Sequence, residues 1–125
     1  MSTSASISSQ NLRPLAMKAA EIMAAEGVSV EVIDPRTLVP LDIKTIVNSV
    51  MRTGRLVVTE PAPRTCGAAA EIAALVADKA YSALRAPIKR VTGLDMQIPF
   101  SPVLEDQMYP TTERIVAAIR AVCAA

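Results

Sequence analysis

The side chains best suited to chemistry stand together in one stretch, where Glu60 is followed by Pro61, Ala62, Pro63, Arg64, Thr65, Cys66 and Gly67. An apolar run precedes this stretch and a helical pattern follows it. In a sheet of parallel strands, the end of a strand just before a helix is where ligands gather. The free N–H groups of a helix start can also hold an anion. Glu60, Arg64 and Thr65 therefore carry two readings. One is a contact for a phosphate, a carboxylate or a partner's loop; the other is an exposed turn shaped only by its prolines. Cys66, near a helix start, could have a lowered thiol pKa. With no histidine and no second cysteine nearby, a small apolar residue is the simpler account.

Arg64, Arg90, Glu105 and Asp106 form a second candidate set. Guanidinium and carboxylate groups pair in bidentate fashion across subunit interfaces, and solvated charge is the alternative. Phe100 lies between Pro99 and Pro102 in a segment that reads as an extended arm, so it is either an intramolecular lid or an interface anchor. Asp34 and Arg36 flank Pro35 and are spaced for a local ion pair, a kind that contributes only about 0–1 kcal/mol at a surface.

Composition removes several kinds of function. The chain has no histidine, so triads of the Ser-His-Asp or Cys-His kind are excluded. Cys66 and Cys123 are far apart with no histidine to join them, which argues against a zinc site. They read as free thiols in a reducing compartment. Thirteen basic and 12 acidic residues leave a net charge of +1, without the basic footprint of a nucleic-acid binder. No segment has the apolar length of a bilayer span. Residues 1–10 are serine-rich but lack the basic start and apolar core of a secretory signal. With 51% hydrophobic residues over 125 positions, the chain can bury a real core. Its surplus of small apolar residues has two outlets, helix faces filled with alanine or a surface hidden in a subunit interface.

The elements that must position these residues follow from periodicity and punctuation. A poor first strand is expected over residues 5–8, with Ile7 its only large apolar residue. A helix follows over 15–26, with Leu15, Ala19, Ile22 and Met23 on one face, Pro14 in its first turn and Gly27 at its end. Residues 28–33 read as a strand closed by Asp34-Pro35. Asp42 is placed as an N-cap for a helix whose apolar face is Ile43, Ile46, Val47, Val50 and Met51, with Gly54 closing it. Residues 55–59 have the short apolar run of a buried strand, and 60–67 read as a loop. A helix over 68–84, with Ile72, Leu75, Val76, Lys79, Ala80 and Ala83 along one side, leads to a strand over 88–92. Residues 93–110 hold three prolines and read as loop. Thr111 caps a last helix with Ile115, Val116, Ile119, Val122 and Cys123 on its buried face. Strands alternating with helices predict an α/β fold, a three-layer α/β/α sandwich around a mostly parallel sheet, in one domain over 1–125.

At this point the chain resembles a known family. Residues 27–42 (GVSVEVIDPRTLVPLD), 53–74 (TGRLVVTEPAPRTCGAAAEIAA) and 86–119 (APIKRVTGLDMQIPFSPVLEDQMYPTTERIVAAI) are similar to the transketolase C-terminal domain of thiamine diphosphate-dependent 2-oxo acid dehydrogenase β subunits. The Arg64-Thr65 pair, the Arg90-Val91-Thr92-Gly93 strand and the Pro99-Phe100-Ser101-Pro102 loop point to the dehydrogenase rather than to transketolase or deoxyxylulose phosphate synthase. The chain departs from the family in its weak first strand, in Glu60-Pro61, and in Cys66-Gly67-Ala68-Ala69 at the helix start.

The resemblance implies a C-terminal assembly domain in oxidative decarboxylation of pyruvate or a branched 2-oxo acid. It implies no catalytic, cofactor or metal residue in this chain. Thiamine diphosphate and magnesium belong to the full enzyme, on the α subunit and the preceding β-subunit domain. The implied partners are the dehydrogenase α subunit, a β-subunit twin and the small binding domain of the acyltransferase component. A homodimer is expected for the isolated chain, in the cytoplasm or, in a eukaryote, the mitochondrial matrix. The contacts would fall on Glu60, Arg64, Thr65, Arg90, Phe100, Glu105 and Asp106. The competing expectations are a free-standing binding or regulatory module, and the C-terminal part of a split transketolase or deoxyxylulose phosphate synthase.

Overall fold

A computed structural model describes residues 3–8 and 10–125, with side chains from Asn11 onward. Four strands, β1 (Thr3–Ser8), β2 (Ser29–Ile33), β3 (Leu56–Pro63) and β4 (Lys89–Gly93), form one sheet in the order β2-β1-β3-β4. Every pairing is parallel. The helices are α1 (Arg13–Ala25), α2 (Ile43–Thr53), α3 (Ala68–Ala80), the short α4 (Pro102–Asp106) and α5 (Thr112–Ala124). The weak first strand expected over 5–8 runs from Thr3 to Ser8; Met1, Ser2 and Ser9, and the side chains of 1–10, lie outside the described residues.

The three layers follow from the alternation of side chains along β3. Leu56 and Val58 point to one face and pack with Ile46 and Val50 of α2 and Ile72 and Val76 of α3. Val57 points to the other face and packs with Met23 of α1 and Ile115 and Ile119 of α5. All three β3 side chains are at most 1% exposed. Burial of this kind stabilises by about 1.5–3 kcal/mol per side chain.

Local chemistry sets the element ends. The Asp42 carboxylate accepts from the Thr45 amide at 3.1 Å and the Thr45 hydroxyl at 2.6 Å, which starts α2. Gly54 ends it in a left-handed conformation, φ 70°. Thr111 starts α5 by accepting from the Arg114 amide at 3.2 Å.

Several expectations differ in detail. Val28 precedes β2, and α3 stops at Ala80, with a 3-10 turn over Tyr81–Ala83. Ile22 and Met51, expected on buried faces, are 37% and 57% exposed. Ala16 of α1 and Leu12 just before it are buried, as are Ser49 and Thr53 on α2. Lys79 is exposed. Asp34 and Arg36 form no ion pair. Among the described residues the ion pairs are Glu31 with Arg52, at 2.9 Å, and Glu26 with Arg120. The Asp34 Oδ1 atom is instead buried without a partner.

The region 60–67 departs most. β3 continues to Pro63, so Glu60 belongs to the strand and not to a loop. Two prolines sit there beyond Thr59, the last β3 residue paired with β1 among the described residues. Beyond it, Pro63 meets Gly93 across an irregularity in the ladder with β4.

Candidate functional site

The strand order turns around between β1 and β3, and the crevice at their C-terminal ends is the position where such sheets take ligands. A cleft of about 380 Å³ opens there, with Pro35, Leu38, Pro61 and Ile72 among its walls and Glu60 facing it. Glu60 is 7% exposed. Its Oε1 atom accepts from the Ala69 amide at 2.8 Å. Gly67, the N-cap of α3, makes no side-chain cap of its own. A carboxylate reaching in from β3 thus takes over the capping task and answers the positive end of the helix. Gly67 also makes room for it, because a Cβ there would lie 2.2 Å from the Glu60 oxygen and 2.7 Å from the Pro63 carbonyl.

Arg64 and Thr65 lie past the end of β3 and are exposed. The Arg64 guanidinium donates to the Arg90 carbonyl at 3.2 Å, and Arg90 donates back to the Arg64 carbonyl at 3.1 Å. This reciprocal clasp holds the turn after β3 against β4. Thr65 donates its amide to Asp95 Oδ1 at 2.9 Å and its hydroxyl to Oδ2 at 2.6 Å. These bonds hold the Asp95 carboxyl below its usual pKa, the Thr65 hydroxyl contributing most and the backbone amide next. Asp95 was missed by sequence reasoning; its partner lies thirty residues away in the chain, and no local pattern marks the pair. Cys66, between Thr65 and Gly67, is exposed and has a positive φ of 59°.

The other candidates lie on the connection from β4 to α5. Phe100 is fully exposed at 103%, so it is no lid. Leu94, Met96, Ile98, Val103 and Leu104 are also exposed, at 43–70%. All six lie in one strip of sequence, 94–104, which the Thr65–Asp95 bonds tie to the turn after β3. Glu105 accepts from the Tyr109 hydroxyl at 3.2 Å, and this bond, the leading cause, raises the tyrosine's pKa. Asp106 is exposed. The structure therefore brings Arg64 and Arg90 together and keeps Glu60 apart from them, on the cleft.

A family model described as transketolase, C-terminal domain, matches residues 7–115. The chain belongs to the transketolase C-terminal domain family. Among curated relatives, it is 48% identical over 102 residues to the acetoin:2,6-dichlorophenolindophenol oxidoreductase subunit beta of Bacillus subtilis (strain 168), covering 82% of this chain and 30% of that protein. It is 44% identical over 107 residues to the pyruvate dehydrogenase E1 component subunit beta of Leifsonia xyli subsp. xyli, covering 85% of this chain and 31% of the relative. This transketolase C-terminal domain thus spans about three-tenths of the length of those relatives. Its fold matches a solved structure titled split gene transketolase, inactive beta4 tetramer, with a TM-score of 0.83 at 23% identity, covering 98% of this chain and 39% of that one. Relatives include bacterial and mitochondrial proteins. No helix among the described residues is long and apolar enough to cross a membrane.

Among the described residues, the lining of the cleft is a poor match for a diphosphate with magnesium. Among the described residues no three His, Cys, Asp or Glu side chains come together. In the cleft, the Glu60 carboxylate would repel a diphosphate.

Proposed function

We propose that the chain is the C-terminal assembly domain of a 2-oxo acid dehydrogenase β subunit, serving oxidative decarboxylation of pyruvate or a branched 2-oxo acid. It does no proton chemistry of its own. The observation that carries this reading is the exposed strip of Leu94, Met96, Ile98, Phe100, Val103 and Leu104 on the β4–α5 connection. A run of large apolar side chains in contact with water marks an interaction surface. Arg64 and Arg90, tied to this connection through Thr65 and Asp95, and Glu105 and Asp106 within it add both signs of charge. Such a surface is self-complementary and suits a two-fold contact with a second β subunit. The α subunit and the acyltransferase component's binding domain are the other partners the reading includes. The relatives bearing the name acetoin oxidoreductase subunit beta, at 48% and 46% identity, favour a second reading in which the same assembly role serves acetoin oxidation.

Two measurements test the proposal. Co-expression with a dehydrogenase α subunit should retain the chain through size-exclusion chromatography, and substituting the strip with charge should release it. Calorimetry of the chain alone with thiamine diphosphate and magnesium should show no micromolar binding. Micromolar binding, or decarboxylation by the chain alone, would overturn it.

A further inference from the structure

The cleft between the ends of β1 and β3 is not used by the assembly role, and three features of it belong together. It lies at the point where the strand order reverses, with a volume of about 380 Å³, within the range of small-molecule sites. Its ionic group, Glu60, is 93% buried by the complement of its 7% exposure. No lysine or arginine lines the cleft or pairs with Glu60 among the described residues. Finally, Gly67 keeps the space that the carboxylate occupies, since any side chain there would meet the Glu60 oxygen at 2.2 Å.

A buried carboxylate ordinarily has a cationic partner, because desolvation costs several kcal/mol when it is unpaired. Here the α3 amide at Ala69 satisfies Oε1. That bond compensates one oxygen and leaves the group negative beside an open cleft. Apart from the uncharged polar Asn11 and Thr59, the rest of the described wall is apolar, with Pro35, Leu38, Pro61 and Ile72 among it, which suits an alkyl stem and not a second charge. We propose that this cleft takes a primary ammonium group on a short alkyl stem, with Glu60 receiving the ammonium and Leu38 and Ile72 packing on the stem. A free aliphatic amine and the lysine side chain of a neighbouring polypeptide offer the same chemistry.

The test is a titration of the 15N-labelled chain followed by amide chemical shifts. The probes are n-butylammonium, n-butanol, n-butyrate and Nα-acetyl-lysine methylamide. Butylammonium should shift Ala69 and Ile72 saturably, with a dissociation constant on the order of 1–10 mM for so small a ligand. Butanol should bind about tenfold more weakly, the fold-change for losing a charged hydrogen bond, and butyrate not at all. Tighter binding of the lysine derivative than of butylammonium supports the site with a lysine side chain as its source. The reverse order supports it with a free amine. Glu60→Gln keeps an oxygen for the Ala69 amide and removes the charge, so it should lower ammonium affinity to the level of butanol. Equal binding of the three butyl compounds to the wild type would overturn the proposal, and that comparison needs no variant. Absence of any saturable shift up to about 50 mM, or undiminished ammonium binding in a folded Glu60→Gln chain, would also overturn it.

Discussion

Replacing Gly67 with alanine should be among the more damaging single-methyl additions to this chain. The new Cβ would stand 2.2 Å from Glu60 Oε1 and 2.7 Å from the Pro63 carbonyl. The first obstacle is a side-chain tip that can swing away, but only by giving up its bond to the Ala69 amide. The second is backbone, held in β3 by its pairing with Gly93. Losing a hydrogen bond to a charged group in a buried place costs about 1.5–3 kcal/mol. Alanine is also a poorer N-cap than glycine by up to about 1 kcal/mol. The expected loss is therefore about 2–4 kcal/mol, a fall in Tm on the order of 10 °C for a chain of this length. Urea denaturation followed by circular dichroism measures it directly. A double-mutant cycle with Glu60→Ala isolates the cause. If eviction of Glu60 is the main damage, Gly67→Ala should cost at least about 1 kcal/mol less in the Glu60→Ala background. A single-mutant loss below about 0.5 kcal/mol, or strict additivity, would refute the capping argument.

Two further outcomes follow from the same geometry. The Asp95 carboxyl is held below its usual pKa by the Thr65 hydroxyl and amide. A depressed carboxylate contributes stability that is present above its unfolded pKa of about 4 and lost as pH falls through the folded value. Amide exchange at Thr65 should therefore be slow near neutrality and accelerate, relative to the intrinsic rate, only below about pH 4; protection unchanged in strong acid would contradict the bond. The two thiols should separate kinetically. Cys66 is exposed, whereas burial, its leading cause, raises the Cys123 pKa against the opposing charge of Arg55. A disulfide reagent should modify Cys66 first and Cys123 slowly, and equal rates would contradict that assignment.

Much of the architecture was legible because glycine, proline and capping residues punctuate it. Asp42, Gly54 and Thr111 each mark an element end where the structure has one. The apolar run at 56–58 is buried on both faces and reads as a central strand. Where the reading stopped short, tertiary contacts decided. Pro61 and Pro63 suggested a loop, yet β3 continues through them, past the last described pairing with β1 at Thr59 and on to Gly93 of β4. Glu60 consequently moved from a solvated turn to a buried cap. The short α4 had a signal in Ser101-Pro102, a favourable helix start, that the surrounding prolines obscured. Ile22 and Met51 sit on the margins of their helical faces, where periodicity alone does not separate core from surface. The Arg64–Arg90 clasp joins two guanidinium groups to carbonyl oxygens; charge patterning suggested carboxylate partners for both.

The assembly role is tested most directly by sedimentation equilibrium of the chain and of Phe100→Asp across a concentration series. Phe100 touches little of its own fold, being fully exposed, so the substitution should leave the thermal transition nearly unchanged. An anchor of this kind contributes about 2 kcal/mol or more to a contact. The account predicts a monomer–dimer equilibrium for the wild type and a dissociation constant at least ~30-fold weaker for the variant. A wild type that stays strictly monomeric at high concentration would contradict it, as would a dimer that Phe100→Asp leaves intact.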